Sequence, residues 1–380
     1  IPHTAESTIA NLPLRLPSTE IHTVGAGGGS IARVDAGGVL RVGPESAGAD
    51  PGPACYGHGG TEPTVTDANL VLGRLDEGSL LDESQALSMD EAAAQEVLAQ
   101  LGNTLNLSPE AAALGVVRVA NAAMERALRR VSVERGHDPR DYVLVPFGGA
   151  GPLHACDLAN ALGVRRILVP RYPGVLSALG LLMADVVHDT SQAVLQSFDT
   201  MLAAPDMLRA TTEALSEQAQ EILAPNHPGN PQVTASLDLR YAGQSYELSV
   251  PIELPVSMEH LEHTRTAFHD AHAQRYGYAT PERAVEAVTV RVQGRVPGAQ
   301  LHLPEEPITA TKSDQARLGE KLVWFSADTP AKTPYYHRDK LRHGHRLDGP
   351  ALVFQYDTTL VITPGWQGRV DAWHNLWLER

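Results

Sequence analysis

The chain has 380 residues, of which 43% are hydrophobic, and a formal net charge of -15. This length is enough for about two or three domains, and the acidic balance argues against a nucleic-acid-binding protein, because affinity for phosphate backbones depends on clustered Lys and Arg. No run of about 18 apolar residues occurs, which argues against a membrane span. The start lacks the pattern of a signal peptide and the two cysteines make no disulfide framework, so a cytoplasmic protein is expected.

The first 75 residues are rich in Gly and Pro. Short strands are expected at Ile31–Val34 and Val39–Val42, joined by a hairpin turn around Gly37-Gly38. The segment Gly25–Ser30 has two interpretations. Its backbone N–H groups could face an anion, or the segment could be a structural crossing point without a ligand.

A long helix is the next predicted element. Ser108-Pro109-Glu110 indicates a helix start, with a capping Ser, a Pro in the first turn and an acid near the positive end of the helix. Apolar or small residues then recur at a spacing of three and four from Leu114 onward. The helix is expected to run to about Arg135 and to stop near Gly136, and helical patterning in general is expected from about residue 85.

A strand–turn–helix unit follows. We expect a buried strand at Asp141–Phe147, a turn at Gly148–Gly151, a helix from Pro152 to Leu162 and a second strand, parallel to the first, at Val164–Val169. Glycine lets the backbone approach a ligand closely, and a helix start offers free N–H groups. The turn therefore fits either a ligand site or a tight connection without a ligand. It matches neither a P-loop nor Gly-x-Gly-x-x-Gly.

The second half of the chain is expected to be an α+β region with a β-rich end. Helices are expected at Val175–Val187, at about Met201–Leu223 and at Met258–Tyr276. Strand-like segments lie at Val233–Ala242, Ser245–Pro251, Ala287–Val296, Lys321–Phe325, Ala351–Phe354, Thr359–Ile362 and Gly368–Val370.

Asp50 and His154 are the candidate catalytic residues. Asp50 lies in a Pro/Gly-stiffened loop, where it could hold a metal-bound water or a substrate N–H, or simply form a turn before a proline. His154 lies in the first turn of the helix after Gly151, where it could reach a ligand or pack as a structural histidine. Cys55 is expected to be buried and inert. Asp67 and Asn69 are expected to cap the start of a segment at Ala68–Leu75 rather than to act in catalysis.

Three histidines, His337, His343 and His345, lie close together in the sequence. They lie among Arg and Lys and their spacing has no clear metal geometry, so we expect a solvated loop and assign no metal ligand. A structural role is expected for Asp357-Thr358-Thr359.

Three long strings resemble the hydantoinase A/5-oxoprolinase family. The first, within residues 131–155, is Val-Ser-Val-Glu-Arg-Gly-His-Asp-Pro-Arg-Asp followed by Val-Leu-Val-Pro-Phe-Gly-Gly-Ala-Gly-Pro-Leu-His-Ala. The second is Thr-Val-Gly-Ala-Gly-Gly-Gly-Ser-Ile-Ala at residues 23–32, and the third is Gly-Pro-Glu-Ser-Ala-Gly-Ala-Asp-Pro-Gly-Pro-Ala-Cys-Tyr-Gly at residues 43–57, with Pro-Thr-Val-Thr-Asp-Ala-Asn after it. The resemblance covers nearly the whole chain, and the beta-type subunit of acetone carboxylase shares these strings.

The resemblance implies an α/β fold. Residues 1–190 would be the second part of an ATPase core that resembles actin, hexokinase and Hsp70, and residues 191–380 would be a C-terminal α+β, β-rich domain. In that scheme the glycine turn lies on the adenosine side of a nucleotide cleft, and the helix Val175–Val187 connects two lobes. The residues that we assign to cofactor binding are Gly25, Gly27, Gly28, Gly29, Ser30, Gly148, Gly149, Ala150 and Gly151.

The resemblance also implies a chemistry, which is the ATP-dependent opening of a cyclic amide such as hydantoin, N-methylhydantoin or 5-oxoproline. ATP with Mg²⁺ phosphorylates the carbonyl oxygen, and water then attacks, usually on a partner subunit of the hydantoinase B type. The family's Asp-x-Gly-Gly-Thr phosphate loops do not occur in these 380 residues. The chain is therefore expected to be the C-terminal part of such a subunit and to hydrolyse ATP poorly alone. An acetone-carboxylase-like subunit and a non-catalytic scaffold that docks a partner are the alternatives.

Overall fold

The computed structural model describes residues 21–75, 88–224, 231–308 and 312–380, together with four short strands before residue 21. The fold is a mixture of α-helices and mostly antiparallel sheets, which confirms the predicted α/β class. Contacts divide the chain into two compact units, residues 1–177 with 303–380 and residues 178–302. The division into residues 1–190 and 191–380 that the family resemblance implies stays a prediction. Among the described residues, no helix is long and apolar enough to cross a membrane.

The elements are numbered in chain order. The helices are α1 (Val65–Val71), α2 (Glu91–Leu105), α3 (Pro109–Val131), α4 (Gly151–Leu162), α5 (Leu176–Met183), α6 (Phe198–Ala203), α7 (Pro205–Leu223) and α8 (Met258–Tyr276). The strands are β1 (His3–Thr4), β2 (Ser7–Ile9), β3 (Leu12–Leu14), β4 (Ser18–Thr19), β5 (Ser30–Val34), β6 (Leu40–Ser46), β7 (Arg166–Val169), β8 (Val186–Ser197), β9 (Gln232–Tyr241), β10 (Leu248–Ile252), β11 (Val285–Val296), β12 (Arg317–Val323), β13 (Ala331–His337), β14 (Arg346–Asp348), β15 (Ala351–Gln355), β16 (Thr358–Ile362), β17 (Gln367–Val370) and β18 (Leu376–Glu379).

The hairpin of β5 and β6 forms as predicted. The two strands are antiparallel, and the Asp35 carboxylate closes the turn by accepting from the N–H groups of Gly37 and Val39, both at 3.0 Å. Gly38 takes φ +77°, a conformation that favours glycine. The turn is therefore a local product of the sequence.

Helix α3 also begins as predicted, because Ser108 Oγ accepts from the N–H of Ala111 at 3.2 Å and Pro109 occupies the first turn. It ends at Val131, and a 3₁₀ turn at Val133–Arg135 completes the expected stretch. Helices α1, α2 and α3 bury their small and aliphatic side chains together in the first core of this unit. The residues 85–87 of the expected helical stretch lie outside the described residues, and α2 begins at Glu91.

The second core of this unit lies between α4 and two four-stranded sheets. Their strand orders are β12-β13-β15-β16 and β14-β17-β18-β7. Seven strands follow residue 303 in the described part of the chain, which confirms the β-rich end. The pairs are antiparallel except for β13 with β15. Helix α4 ends at Leu162 with Gly163 at φ +73°, as expected.

Two elements around the glycine turn differ from their prediction. The stretch Asp141–Phe147 is not a strand. Asp138 caps a 3₁₀ turn over Pro139–Asp141, and only Leu144 bridges Ile167, in the expected parallel sense. The predicted helix Val175–Val187 is also too long, because α5 ends at Met183 and its β-branched end, Val186 and Val187, pairs with β11 instead.

The unit of residues 178–302 is an antiparallel sheet of order β10-β9-β11-β8 that packs against helices. Helix α8 begins and ends where the sequence predicts, with Ser257 as its cap. The single helix expected at Met201–Leu223 is two helices, α6 and α7, because Pro205 starts a new helix after Ala204. The inner faces of the sheet and helices form a third core.

Candidate functional site

The glycine turn at Gly148–Gly151 is an exposed connection into α4. Gly148 adopts φ +79° and its N–H donates to the carbonyl of Pro173 at 2.7 Å. No hydrogen bond from the N–H groups of Gly149, Ala150 and Gly151 reaches another described residue. The turn therefore presents three free backbone donors, which is what a ligand-binding helix start requires.

The segment Asp357-Thr358 braces this turn from the C-terminal end of the chain. Thr358 Oγ1 donates to the carbonyl of Gly149 at 2.8 Å. Asp357 lies against both the turn and Gly174, because a Cβ added to Gly174 would overlap the Asp357 carboxylate and a Cβ on Gly149 would lie 3.3 Å from the Asp357 carbonyl oxygen. The sequence therefore needs glycine at position 174 to leave room for that carboxylate.

The Asp357 carboxylate is the second feature of this turn. Its Oδ1 is buried and has no hydrogen-bond partner among the described residues. A carboxylate repels phosphate oxygens, but it accepts hydrogen bonds from hydroxyl and amino groups. The combination of free N–H groups and an acceptor carboxylate therefore suits the neutral polar edge of a nucleoside better than its phosphates.

The second glycine segment, Gly25–Ser30, is held by its own neighbours. Gly27 N–H donates to Ser30 Oγ at 2.9 Å, and the Gly28 carbonyl accepts from the N–H of Thr66 at the start of α1. Gly25 packs on Pro44, with room for no side chain. The hairpin and α1 thus fix the shape of this segment. Ligand binding at Gly25, Gly27, Gly28, Gly29 and Ser30 stays a prediction.

Asp50 is exposed in a turn that precedes Pro51. The loop after it is tied down by Asp67, whose buried carboxylate accepts from the N–H groups of Ala54 and Cys55 as well as from Thr64. Asp67 and Thr64 also form a capping box on α1, which confirms Asp67 as a cap, whereas Asn69 lies inside the helix and donates to the Val65 carbonyl. Cys55 is fully buried, and burial, followed by the Asp67 charge, raises the pKa of its thiol. The predicted burial of Cys55 is confirmed, while its inertness and a catalytic role for Asp50 stay predictions.

His154 faces the protein interior. It is 2% exposed, and its Nδ1 lies 2.7 Å from Asn121 Oδ1 of α3. Asn121 Nδ2 donates to Asp157 Oδ2 at 3.2 Å, so its oxygen is the acceptor for His154. Burial, and then the charge of Arg74, lower the pKa of His154 to about 4. The structure thus makes His154 a neutral, packed histidine, while its catalytic role stays a prediction.

The segment that contains His337, His343 and His345 was expected to be a solvated loop. This is wrong for His345 and for the neighbouring Arg338, which are both buried. His345 is 3% exposed and accepts from the N–H of Arg342. Arg338 is also buried, where it donates to the carbonyl of His374 at 2.7 Å, and burial lowers its pKa to about 10. The segment is anchored because these two side chains are buried and hydrogen-bonded to the backbone. No group of three or more His, Cys, Asp or Glu in the described residues could hold a metal ion.

Two residues in these surroundings were not singled out from the sequence. No role was predicted for Gly174, and in the structure it leaves the space that the Asp357 carboxylate occupies. Arg74 follows the string that ends in Thr-Asp-Ala-Asn, and the structure buries it to 3% exposure. Composition and periodicity do not show that an arginine is buried or which side chain a glycine makes room for. Neither residue could therefore have been found from the sequence pattern.

Two family models match the chain. They are hydantoinase/oxoprolinase over residues 1–190 and hydantoinase/oxoprolinase C-terminal domain over residues 196–380. Caprolactamase subunit alpha of Pseudomonas jessenii is 35% identical, over 96% of this chain and 53% of the relative. 5-oxoprolinase 1 of Arabidopsis thaliana is 31% identical, over 98% of this chain and 30% of the relative.

A solved structure supports the same relationship. The nucleotide-free structure of an ATP-dependent acetone carboxylase superposes with a TM-score of 0.89 at 25% identity, over 98% of this chain and 54% of that chain. The chain spans about half the length of the first curated relatives that it matches, at 52% and 53%. The matched models together cover almost every residue, and the chain therefore belongs to the hydantoinase/oxoprolinase family.

Proposed function

We propose that this chain is the adenosine-side part of an ATP-dependent enzyme that opens cyclic amides. The observation that carries the proposal is the turn at Gly148–Gly151, with three free N–H groups, and the unpartnered carboxylate of Asp357 that packs against the nearby Gly174. Two of the similar proteins, a caprolactamase and a 5-oxoprolinase, carry the names of cyclic-amide hydrolases. Hydantoin, N-methylhydantoin, 5-oxoproline and similar lactams are the proposed substrate class.

The proposed role of each group follows from its chemistry. Asp357 accepts from the hydroxyl or amino groups of the nucleoside, and Gly149, Ala150 and Gly151 donate to its acceptor atoms. Gly174 keeps the carboxylate in place, because any side chain there would displace it. When bound, ATP supplies the phosphoryl group that makes an amide carbonyl electrophilic.

The remaining assignments are proposals of the same kind. Asp50, exposed at its turn, is proposed to hold a substrate N–H, and His154 is proposed to support α4 from inside as a neutral residue. Gly25–Ser30 offers backbone donors to an anion. Among the described residues no cluster of three or more His, Cys, Asp or Glu could hold Mg²⁺, so we assign the metal no ligand among them.

We also propose that the chain works with further polypeptide. A partner of the hydantoinase B type is consistent with the subunit name of the caprolactamase relative. Both cysteines are free and buried, which is typical of a reducing compartment and supports a cytoplasmic location.

A second candidate function is an ATP-dependent carboxylase subunit. The observation that favours it is the superposition on acetone carboxylase, with a TM-score of 0.89. The two functions are separable by substrate. ATP hydrolysis by the longer protein with its partner should rise with hydantoin, N-methylhydantoin or 5-oxoproline for the first function, and only with a ketone plus bicarbonate for the second.

Adenosine binding tests the proposed site directly. We expect adenosine to bind the wild-type chain in saturation-transfer NMR, and Asp357→Asn and Gly174→Ala to weaken it roughly tenfold, since a charge-assisted hydrogen bond contributes about 1.5 kcal/mol. Gly180→Ala is the matched control, because a Cβ there meets no atom within 4 Å. Equal adenosine affinity in all four chains would overturn the assignment of this turn.

A further inference from the structure

A cavity of about 510 Å³ lies beside α3 and the second half of α4. It shares no residue with the glycine turn, since its part of α4 begins at Asp157. The lining side chains that matter here are Arg74, Asn121, Asp157, Asn160, Phe325 and Thr363. The volume is many times that of one water, which occupies about 30 Å³ in the liquid, and it falls in the range of sites for small organic ligands.

Arg74 is the unusual member of this lining. It is 3% exposed, and its Nη2 donates to the carbonyl of Trp324 at 3.2 Å. Its Nε and Nη1 are buried and have no hydrogen-bond partner among the described residues. The guanidinium also lies 5.8 Å from the centre of the Phe325 ring, which restrains its position. Arg74 is thus a fixed cation with two unused donor nitrogens.

The charge of Arg74 is not balanced by a direct ion pair in the described part of the chain, where no carboxylate lies within 4.0 Å of it. Asp157 is the acid whose charge acts on it, but the Oδ2 of Asp157 already accepts from Asn121. Burial accordingly lowers the pKa of Arg74. A buried charge without a partner is costly, and an anion in the cavity would offset part of that cost.

Other donors line the same space. Thr363 Oγ1 is buried beside the Cys156 thiol, with which it interacts, and it has no oxygen or nitrogen partner among the described residues. Asn160 uses its Oδ1 to accept from Trp366 and Arg380, which leaves its amide N–H groups for a ligand. A hydroxyl and an amide beside a guanidinium form a set of donors, and sets of donors bind oxyanions.

We propose that this cavity binds a small oxyanion, a carboxylate or a phosphate, through Arg74 with Thr363 and Asn160 as further donors. The site is separate from the proposed nucleoside site and does not depend on the proposed function. Two acids line the cavity, Asp157 and Glu125, and Asp157 limits the affinity most directly, because its charge acts on Arg74 and competes with the anion.

Calorimetric titration of the purified chain tests this site, with sodium phosphate and sodium acetate as separate probes and sodium chloride at equal ionic strength as the reference. We expect saturable one-to-one binding of at least one oxyanion, and the probe that binds identifies phosphate or carboxylate as the preferred ligand. Arg74→Met should weaken binding at least tenfold, roughly the loss of one charged hydrogen bond. Arg130→Gln, an exposed arginine farther along α3, is the control and should bind like the wild type.

A second variant keeps the test decisive if Arg74→Met does not fold. Asp157→Asn removes the competing charge and should tighten oxyanion binding about tenfold. His154 provides a spectroscopic reporter, since its ring senses the charge of Arg74, and its NMR titration should move to higher pH when the anion binds. No saturable binding by either probe, or unchanged affinity in Asp157→Asn, would overturn the proposal. The two proposals can fail separately. Asp357→Asn should lose adenosine binding and keep oxyanion binding, because Asp357 does not line the oxyanion cavity.

Discussion

Replacing Asp67 should destabilise the loop that carries Asp50. The Asp67 side chain is 0% exposed, and its Oδ2 accepts from Thr64 Oγ1 at 2.7 Å, from Thr64 N–H at 2.9 Å and from Ala54 N–H at 3.3 Å, while Oδ1 accepts from Cys55 N–H at 2.8 Å. Asp67→Ala leaves these four buried donors without an acceptor. At about 1 kcal/mol for each donor, we expect a loss of about 4 kcal/mol in the free energy of unfolding.

Asp67→Asn should cost about half as much. Its amide can place the oxygen at the Oδ2 position, which keeps the two donors of Thr64 and that of Ala54, but its NH₂ then faces the N–H of Cys55. One unpaired donor and the loss of a negative charge from the other bonds give about 2 kcal/mol. The free energy of unfolding should therefore decrease in the order wild type, Asp67→Asn, Asp67→Ala, and this order is a second part of the prediction.

Urea unfolding followed by tryptophan fluorescence measures this effect. All four tryptophans, at positions 324, 366, 373 and 377, lie in the same compact unit as Asp67, so their signal follows the unit that the substitution affects. Asp50→Asn is the control and should change the free energy of unfolding by less than about 0.5 kcal/mol, because Asp50 is exposed. A loss below about 1 kcal/mol in Asp67→Ala would refute the reasoning, since it would mean that the four donors find water or other partners.

Two further predictions concern titratable groups. His154 has a folded pKa of about 4, below its ordinary value of 6.5, so the unfolded chain takes up its proton first and stability falls as the pH drops from 6.5 towards 4. Between pH 7 and pH 4 the wild type should lose about 3 kcal/mol more than His154→Gln in urea unfolding, and equal losses would contradict the burial of a neutral ring. Iodoacetamide at pH 8 should label neither cysteine in the folded chain and both in urea, because burial raises the pKa of both thiols, that of Cys156 to about 12. Rapid labelling of the native chain would show that one thiol is accessible.

The elements predicted well from sequence are those whose boundaries depend on nearby residues. Ser108 and Pro109 start α3 by contacts within one turn, and Gly163 ends α4 through its own backbone conformation. The hairpin around Gly38 is closed by Asp35 three residues away. Caps and turns of this kind act over three to five residues, so their signals stand in the local sequence.

The elements predicted poorly depend on distant partners. Residues 141–147 have the composition of a strand, yet only Leu144 forms a β-bridge, with Ile167. Val186 and Val187 look like the end of a helix and pair instead with β11, more than 100 residues away in sequence. Where propensity is weak, the pairing partner decides the element.

The glycine turn illustrates what the sequence by itself determined. The strings around Gly148–Gly151 carried the family resemblance, and the glycines indicated a backbone open to a ligand. Only the tertiary structure placed Asp357 and Thr358 against the turn, from more than 200 residues farther along the chain, and only it buried Arg74 beneath Trp324. The physical reason is that the favoured ligand depends on which charges meet in space, and a carboxylate and a guanidinium act through distance and burial rather than through their position in the chain.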